Sequence, residues 1–372
     1  MRGSSAMRLP QVWTMTLVAS ALAVVAGGCG GSESDETAET AETIPTVASR
    51  ISLPPNSQGW DAEPEPLAAG GGAVWTVASY NSPGCESADP HSSSPCRSGV
   101  SLFRLDPQTG KVDGDPVELS DSAFDWRLEY ADGSLWVTSV SDPVVIRVQP
   151  PGAGAPGETK VPVDDATEIN YLAADEESLW VTTDFGLSRI DLADNAVETV
   201  KVDGEAFTFD TFQQIAVGGG YVWIADRSHD EVVRVDPETG ETKAVNVGFF
   251  IGSIGWDGEQ LWAATALGGD HAKVAAIDGT TAEIERTIPL GVSAITELAA
   301  GEAEGVWVGV VDDPTGNAPE GTSSLIEIDR ETAEVGDSIE TLDESTDSQV
   351  VVGEGAVWVT LERTDEIARI EP

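Results

Sequence analysis

Seven stretches of the chain repeat one order of hydrophobic and polar positions: a glycine or acidic residue, a short polar step, an apolar residue, tryptophan, then small or β-branched residues. They read GGAVWTV, DGSLWVT, EESLWVT, GGYVWIA, GEQLWAA, AEGVWVG and GEGAVWVT, around Trp75, Trp136, Trp180, Trp223, Trp262, Trp307 and Trp358. The spacings of 61, 44, 43, 39, 45 and 51 residues suit four-stranded propeller blades, not the shorter helical repeats. The fourth unit is the clearest. It predicts an inner strand at Gln214–Gly218, a second at Tyr221–Ala225, a third at Glu231–Val235 and an outer strand at Glu241–Val245. Nothing from residue 44 onward reads as a helix of more than a turn or two.

The turns agree with this reading. In Asp236-Pro237-Glu238-Thr239-Gly240 the proline presets the first dihedral, the aspartate can accept turn N–H groups, and the glycine supplies a positive φ. Asp106 to Gly110 repeats the pattern, whereas Asp329 to Ala333 lacks both the proline and the glycine. One large flat ring per blade fills the wedge between neighbouring twisted sheets, so the seven tryptophans are expected to be packing residues.

The last unit offers second and third strands at Val357–Thr360 and Glu366–Ile370 but no fourth before Pro372, and a spare strand stands at Thr46–Leu53. Pairing them closes a ring and removes two exposed sheet edges. The predicted fold is therefore an all-β, seven-bladed β-propeller over residues 44–372, closed by the N-terminal strand on the C-terminal blade.

These repeats, with their GxGxVWV…V.RIDPxTG form, resemble the NHL, YVTN and virginiamycin B lyase superfamily of propellers. The resemblance implies the fold far more than an activity, because the matched residues pack and turn.

Residues 1–28 read as a secretory signal: Arg2 and Arg8, a charge-free apolar run from about Val12 to Ala26, then Ala26-Gly27-Gly28 before Cys29. Small residues running into a cysteine resemble the lipobox of bacterial lipoproteins, which implies acylation of Cys29 and a membrane-anchored, extracytoplasmic protein. A plain cleaved signal is the alternative. Residues 29–43 carry no large apolar group until the propeller begins and suit a flexible acidic tether. Cys85 and Cys96, an even pair in an exported chain, favour a disulfide over two free thiols. The formal net charge of −46 disfavours nucleic acid and bare anionic lipid. A monomer is expected.

Candidate chemistry gathers on the face where outer strands lead to the next inner strand. Aligning the segments nine or ten residues before each repeat tryptophan gives a polar ring that includes Glu65, Trp126, Arg127, Asn170, Tyr171, Gln213, Gln214, Glu297 and Gln349, with Trp60 nearby. Such a set could hold a sugar, peptide or cationic ligand through stacking, amide hydrogen bonds and carboxylates. His229 and His271 occupy corresponding links of consecutive units and are weak general acid or base candidates, because the Phe-Thr-Glu that lyase repeats carry after the tryptophan is missing. Asp312, Asp313, Asn317 and Glu320 in a long insertion could offer oxygens to Ca or Mg, without an ordered ligand motif. The composite expectation is a noncatalytic module for a small-molecule, glycan or protein ligand. The alternatives are a metal-dependent lyase or hydrolase of the virginiamycin B type, and a structural or sensory scaffold.

Overall fold

The computed structural model describes residues 46–81, 97–119, 126–139, 143–150, 157–164, 166–184, 186–202, 214–266, 272–312, 322–341, 348–361 and 364–372. The described residues contain no helix and form seven antiparallel sheets of four strands, a seven-bladed β-propeller. The inner strands, one per blade, are Ala62–Ala69, Trp126–Ala131, Ile169–Ala174, Ile215–Gly218, Ile251–Trp256, Ala294–Gly301 and Val350–Gly353. Six blades run from inner to outer strand in chain order. The seventh takes its outer strand, Thr46–Ser52, from the other end of the chain, paired antiparallel with Glu366–Glu371 from Thr46 opposite Glu371 to Ser52 opposite Glu366.

The repeat tryptophans are the wedges between blades. All seven are at most 3% exposed. Each indole N–H is satisfied by the turn preceding its own strand: Trp75 donates to Gly70 O, Trp136 to Ala131 O, and Trp180 and Trp262 to the carboxylates of Asp175 and Asp257. In five blades the third strand places an arginine directly opposite: Arg104, Arg147, Arg189, Arg234 and Arg369, with guanidinium carbons 4.9 to 5.8 Å from the ring centroids. Three of them also reach the next blade, Arg147 donating to Leu192 O, Arg234 to Thr280 O and Arg369 to Pro107 O. The last of these crosses the seam between blades 7 and 1, so it joins the two ends of the ring.

The aspartate turns form as their residues dictate. Asp236 accepts the N–H groups of Glu238 and Thr239 at 2.9 Å, and Gly240 has φ +72°. Asp329 makes the same two bonds, but Ala333 stands where glycine is preferred and is held at φ +61°. Backbone and threonine donors hold the carboxyls of Asp106, Asp236, Asp278 and Asp329 below the usual aspartate range.

Candidate functional site

Every inner strand lines the central channel, and the ladders to the second strands put the channel in register. Opposite the position two residues after each repeat tryptophan lie Arg127, Tyr171, Gln214, Ser253, Glu297 and Gln349 in blades 2 to 7. In blade 1 the register shifts between Pro64 and Leu67, leaving Glu65 and Pro66 at this level. This polar ring is the channel mouth. One rung deeper the residues are aliphatic in every blade: Leu67, Leu128, Leu172, Ile215, Ile254, Leu298 and Val350. The rung below, directly opposite the tryptophans, is Ala68, Ala173, Ala216, Gly255, Ala299 and Val351, with Glu129 in blade 2. From the aliphatic rung downward the walls line a cavity of about 330 Å³ that opens to solvent.

The mouth is organised by bulges. Register shifts fall at this level in blades 1, 3, 5 and 6. A bulged residue loses its place in the ladder, and its carbonyl needs another donor. Arg127 supplies one: its Nε donates to Asn170 O at 3.1 Å while the guanidinium lies 4.8 Å from the Tyr171 ring centroid. Arg227, in the link after the second strand of blade 4, does the same to Gly252 O at 2.6 Å. Gln214 of blade 4 ties together the next two blades, accepting from Ile254 N at 2.8 Å and donating to Glu297 at 3.3 Å. Gln349 accepts from Leu67 N across the ring seam. Side chains from blades 2, 4 and 7 thus converge on one opening.

Burial pushes the Glu297 carboxyl up, and the Gln214 and Leu298 donors with the charges of Arg127 and Arg227 oppose that shift without cancelling it. Ser253 adds a hydroxyl that is buried, in a residue 1% exposed, and has no hydrogen-bond partner. Deeper in the channel, burial raises Glu129 to about 8, against a single opposing N–H from Tyr130. This arrangement can recognise a polar molecule by donors, acceptors and an aromatic face. Among the described residues it holds no nucleophile–base pair.

The other predicted residues are placed differently. Trp126 is buried in the core between blades 1 and 2 and its Nε1 has no partner, so it packs and does not face the mouth. Asn170 is likewise buried, contributing its carbonyl. Trp60 is half-buried against the core between blades 7 and 1. His229 has a side chain 68% exposed and bonds Asp226 within its own turn at 2.9 Å. Asp312 ends a second strand, paired with Thr322. Cys29, Cys85, Cys96, Gln213, His271, Asp313, Asn317 and Glu320 lie outside the described residues. Among the described residues no group of three or more His, Cys, Asp and Glu is arranged to hold a metal ion, and no helix is long and apolar enough to cross a membrane. Arg227, Glu129 and Trp256 were missed by the sequence alignment; reading back seven residues from each tryptophan, eight in the sixth unit, would have exposed Glu129 among alanines, glycine and valine.

Comparison with solved structures finds the same architecture in distant proteins. The structure of U3-55K aligns over 88% of this chain and 100% of its own with a TM-score of 0.60 and 10% identity. Hydrazine synthase of Kuenenia stuttgartiensis aligns over 65% of this chain and 74% of its own, with a TM-score of 0.54 and 11% identity. The likeness is one of fold. No family model matches the sequence, and no curated protein does.

Proposed function

We propose that the chain is a noncatalytic binding module that captures a small polar ligand, a glycan or a peptide group, in the polar mouth of the propeller channel. The observation that carries this reading is the hydrogen bond of Gln214 to Glu297, with Arg127, Tyr171, Arg227 and the partnerless Ser253 hydroxyl around the same opening. The rim adds apolar surface at Phe250, 52% exposed at the start of the blade 5 inner strand.

The small residues before Cys29 further support a lipid-anchored, extracytoplasmic placement in which residues 29–43 hold the propeller off the membrane and the mouth meets its ligand outside the cell. The tryptophan repeats keep their resemblance to NHL, YVTN and virginiamycin B lyase propellers. Incorporation of a fatty-acid analogue that Cys29→Ser abolishes tests the anchor. A thermal-shift screen of glycans, short peptides and divalent cations tests the module: a stabilising glycan or peptide whose effect Gln214→Ala and Glu297→Ala remove is expected. A calcium or magnesium shift abolished by His229→Ala would instead overturn this reading and favour the metal-dependent alternative.

A further inference from the structure

The rung opposite the repeat tryptophans is small or apolar in six blades because each inner strand approaches its neighbours closely there; Gly255, for example, leaves room for only the Leu298 side chain and the Ala300 backbone. Blade 2 breaks the rule with Glu129. Its carboxyl borders the cavity of about 330 Å³, at the lower end of ligand-pocket sizes. Among the described residues, no other lining residue is ionisable. The ionisable groups on the elements packed around it face elsewhere or lie higher. Arg127 and Tyr171 stack on each other at the mouth, Glu63 and Glu65 precede the aliphatic rung of blade 1, and Tyr130 covers Gly70 and Gly71. The second strand of blade 2, Ser134–Ser139, carries none.

Trp256 also lines the cavity, but its indole lies over Gly218, Gly219 and Gly279 and stacks on Trp223 with centroids 6.3 Å apart, packed between blades 4 and 5 as Tyr130 is between blades 1 and 2. A single carboxyl in an otherwise aliphatic cavity suits an alkyl cation, the charge meeting the acid and the alkyl chain meeting the leucine and isoleucine side chains. The field of a chain with net charge −46 concentrates cations around it.

We propose that the channel from the aliphatic rung downward is a binding site for a small alkylammonium ion, its ammonium held by the Glu129 carboxyl and its alkyl chain lying against the aliphatic rung. The site is separate from the mouth ring and does not depend on the ligand proposed there. Near neutral pH the buried acid holds its proton, so the cation displaces it: Glu129–COOH becomes carboxylate, the proton passes to solvent, and one positive charge replaces another in the cavity.

Calorimetric titration of the full chain with butylammonium chloride in 0.3 M salt, a concentration that screens surface pairs, tests the site. Two buffers of different ionisation enthalpy, neither of them a primary amine, measure the proton. The expected result is saturable binding that strengthens as pH rises from 6 to 8, with release of about one proton per cation at pH 6.5. Glu129→Ala restores the residue of four other blades, keeps a cooperative thermal transition, and is expected to weaken binding at least ~10-fold and to abolish the proton release. Absence of binding by the wild-type chain across this pH range, or binding that Glu129→Ala leaves unchanged, would overturn the proposal.

Discussion

Replacing Glu129 by alanine in the ligand-free protein separates the cost of a buried acid from everything else in this acidic chain. Burial raises the carboxyl from its ordinary 4.5 to about 8. The folded state therefore binds this proton more tightly than the unfolded state does. The sign follows: the associated stability is complete below pH 4.5, falls as the unfolded chain ionises, and is lost once pH passes 8. A shift of this size corresponds to about 5 kcal/mol at 1.36 kcal/mol per unit, and water in the channel lumen reduces the expected figure to roughly 3 kcal/mol. Glu129→Ala has no such dependence, so its stability relative to wild type should climb by about 3 kcal/mol between pH 5 and pH 9. Urea unfolding of both proteins at each pH unit reads this difference directly, because the other titrating groups are common to the two chains. Parallel stability curves would refute the reasoning, since they would mean that Glu129 ionises in the fold as it does in water.

Three further outcomes test the packing argument. Arg369→Ala removes the bond to Pro107 O across the ring seam and the stacking on Trp358; it should cost about 2–3 kcal/mol in urea unfolding, as loss of a charged hydrogen bond with a buried stem does. Ala333→Gly should raise stability by about 0.5–1 kcal/mol, because the left-handed backbone at φ +61° strains alanine by more than glycine's extra unfolded freedom costs. The aspartate turns carry depressed carboxyls at Asp106, Asp236, Asp278 and Asp329, whose stabilisation is present above the ordinary value of 3.8 and disappears as pH falls through the lowered ones. Replacing all four with asparagine should therefore flatten the acid limb of a stability-against-pH profile below about pH 4 and leave its neutral region unchanged in shape.

The sequence by itself determined the ring. A tryptophan flanked by apolar residues at a period of about one blade, with aspartate turns between, can bury its apolar face only against a like neighbour. The unequal ends at Thr46–Ser52 and Glu366–Glu371 then leave pairing across the seam as the way to cover both edges. Much of the mouth was legible for the same reason: a fixed offset from the tryptophan places Arg127, Tyr171, Gln214, Glu297 and Gln349 on one rung. Offset alone could not tell a side chain that faces the channel from one that packs between blades, which is why Trp126 was grouped with the mouth and lies in the core. Tertiary structure decided what depends on distances between blades far apart in the chain. Gln214 meets Glu297 over 83 residues, bulges free the carbonyls that Arg127 and Arg227 take, and the closing ring surrounds Glu129 with aliphatic side chains. Period is a local property that a strand carries with it, whereas desolvation and convergence exist only once the seventh blade has met the first.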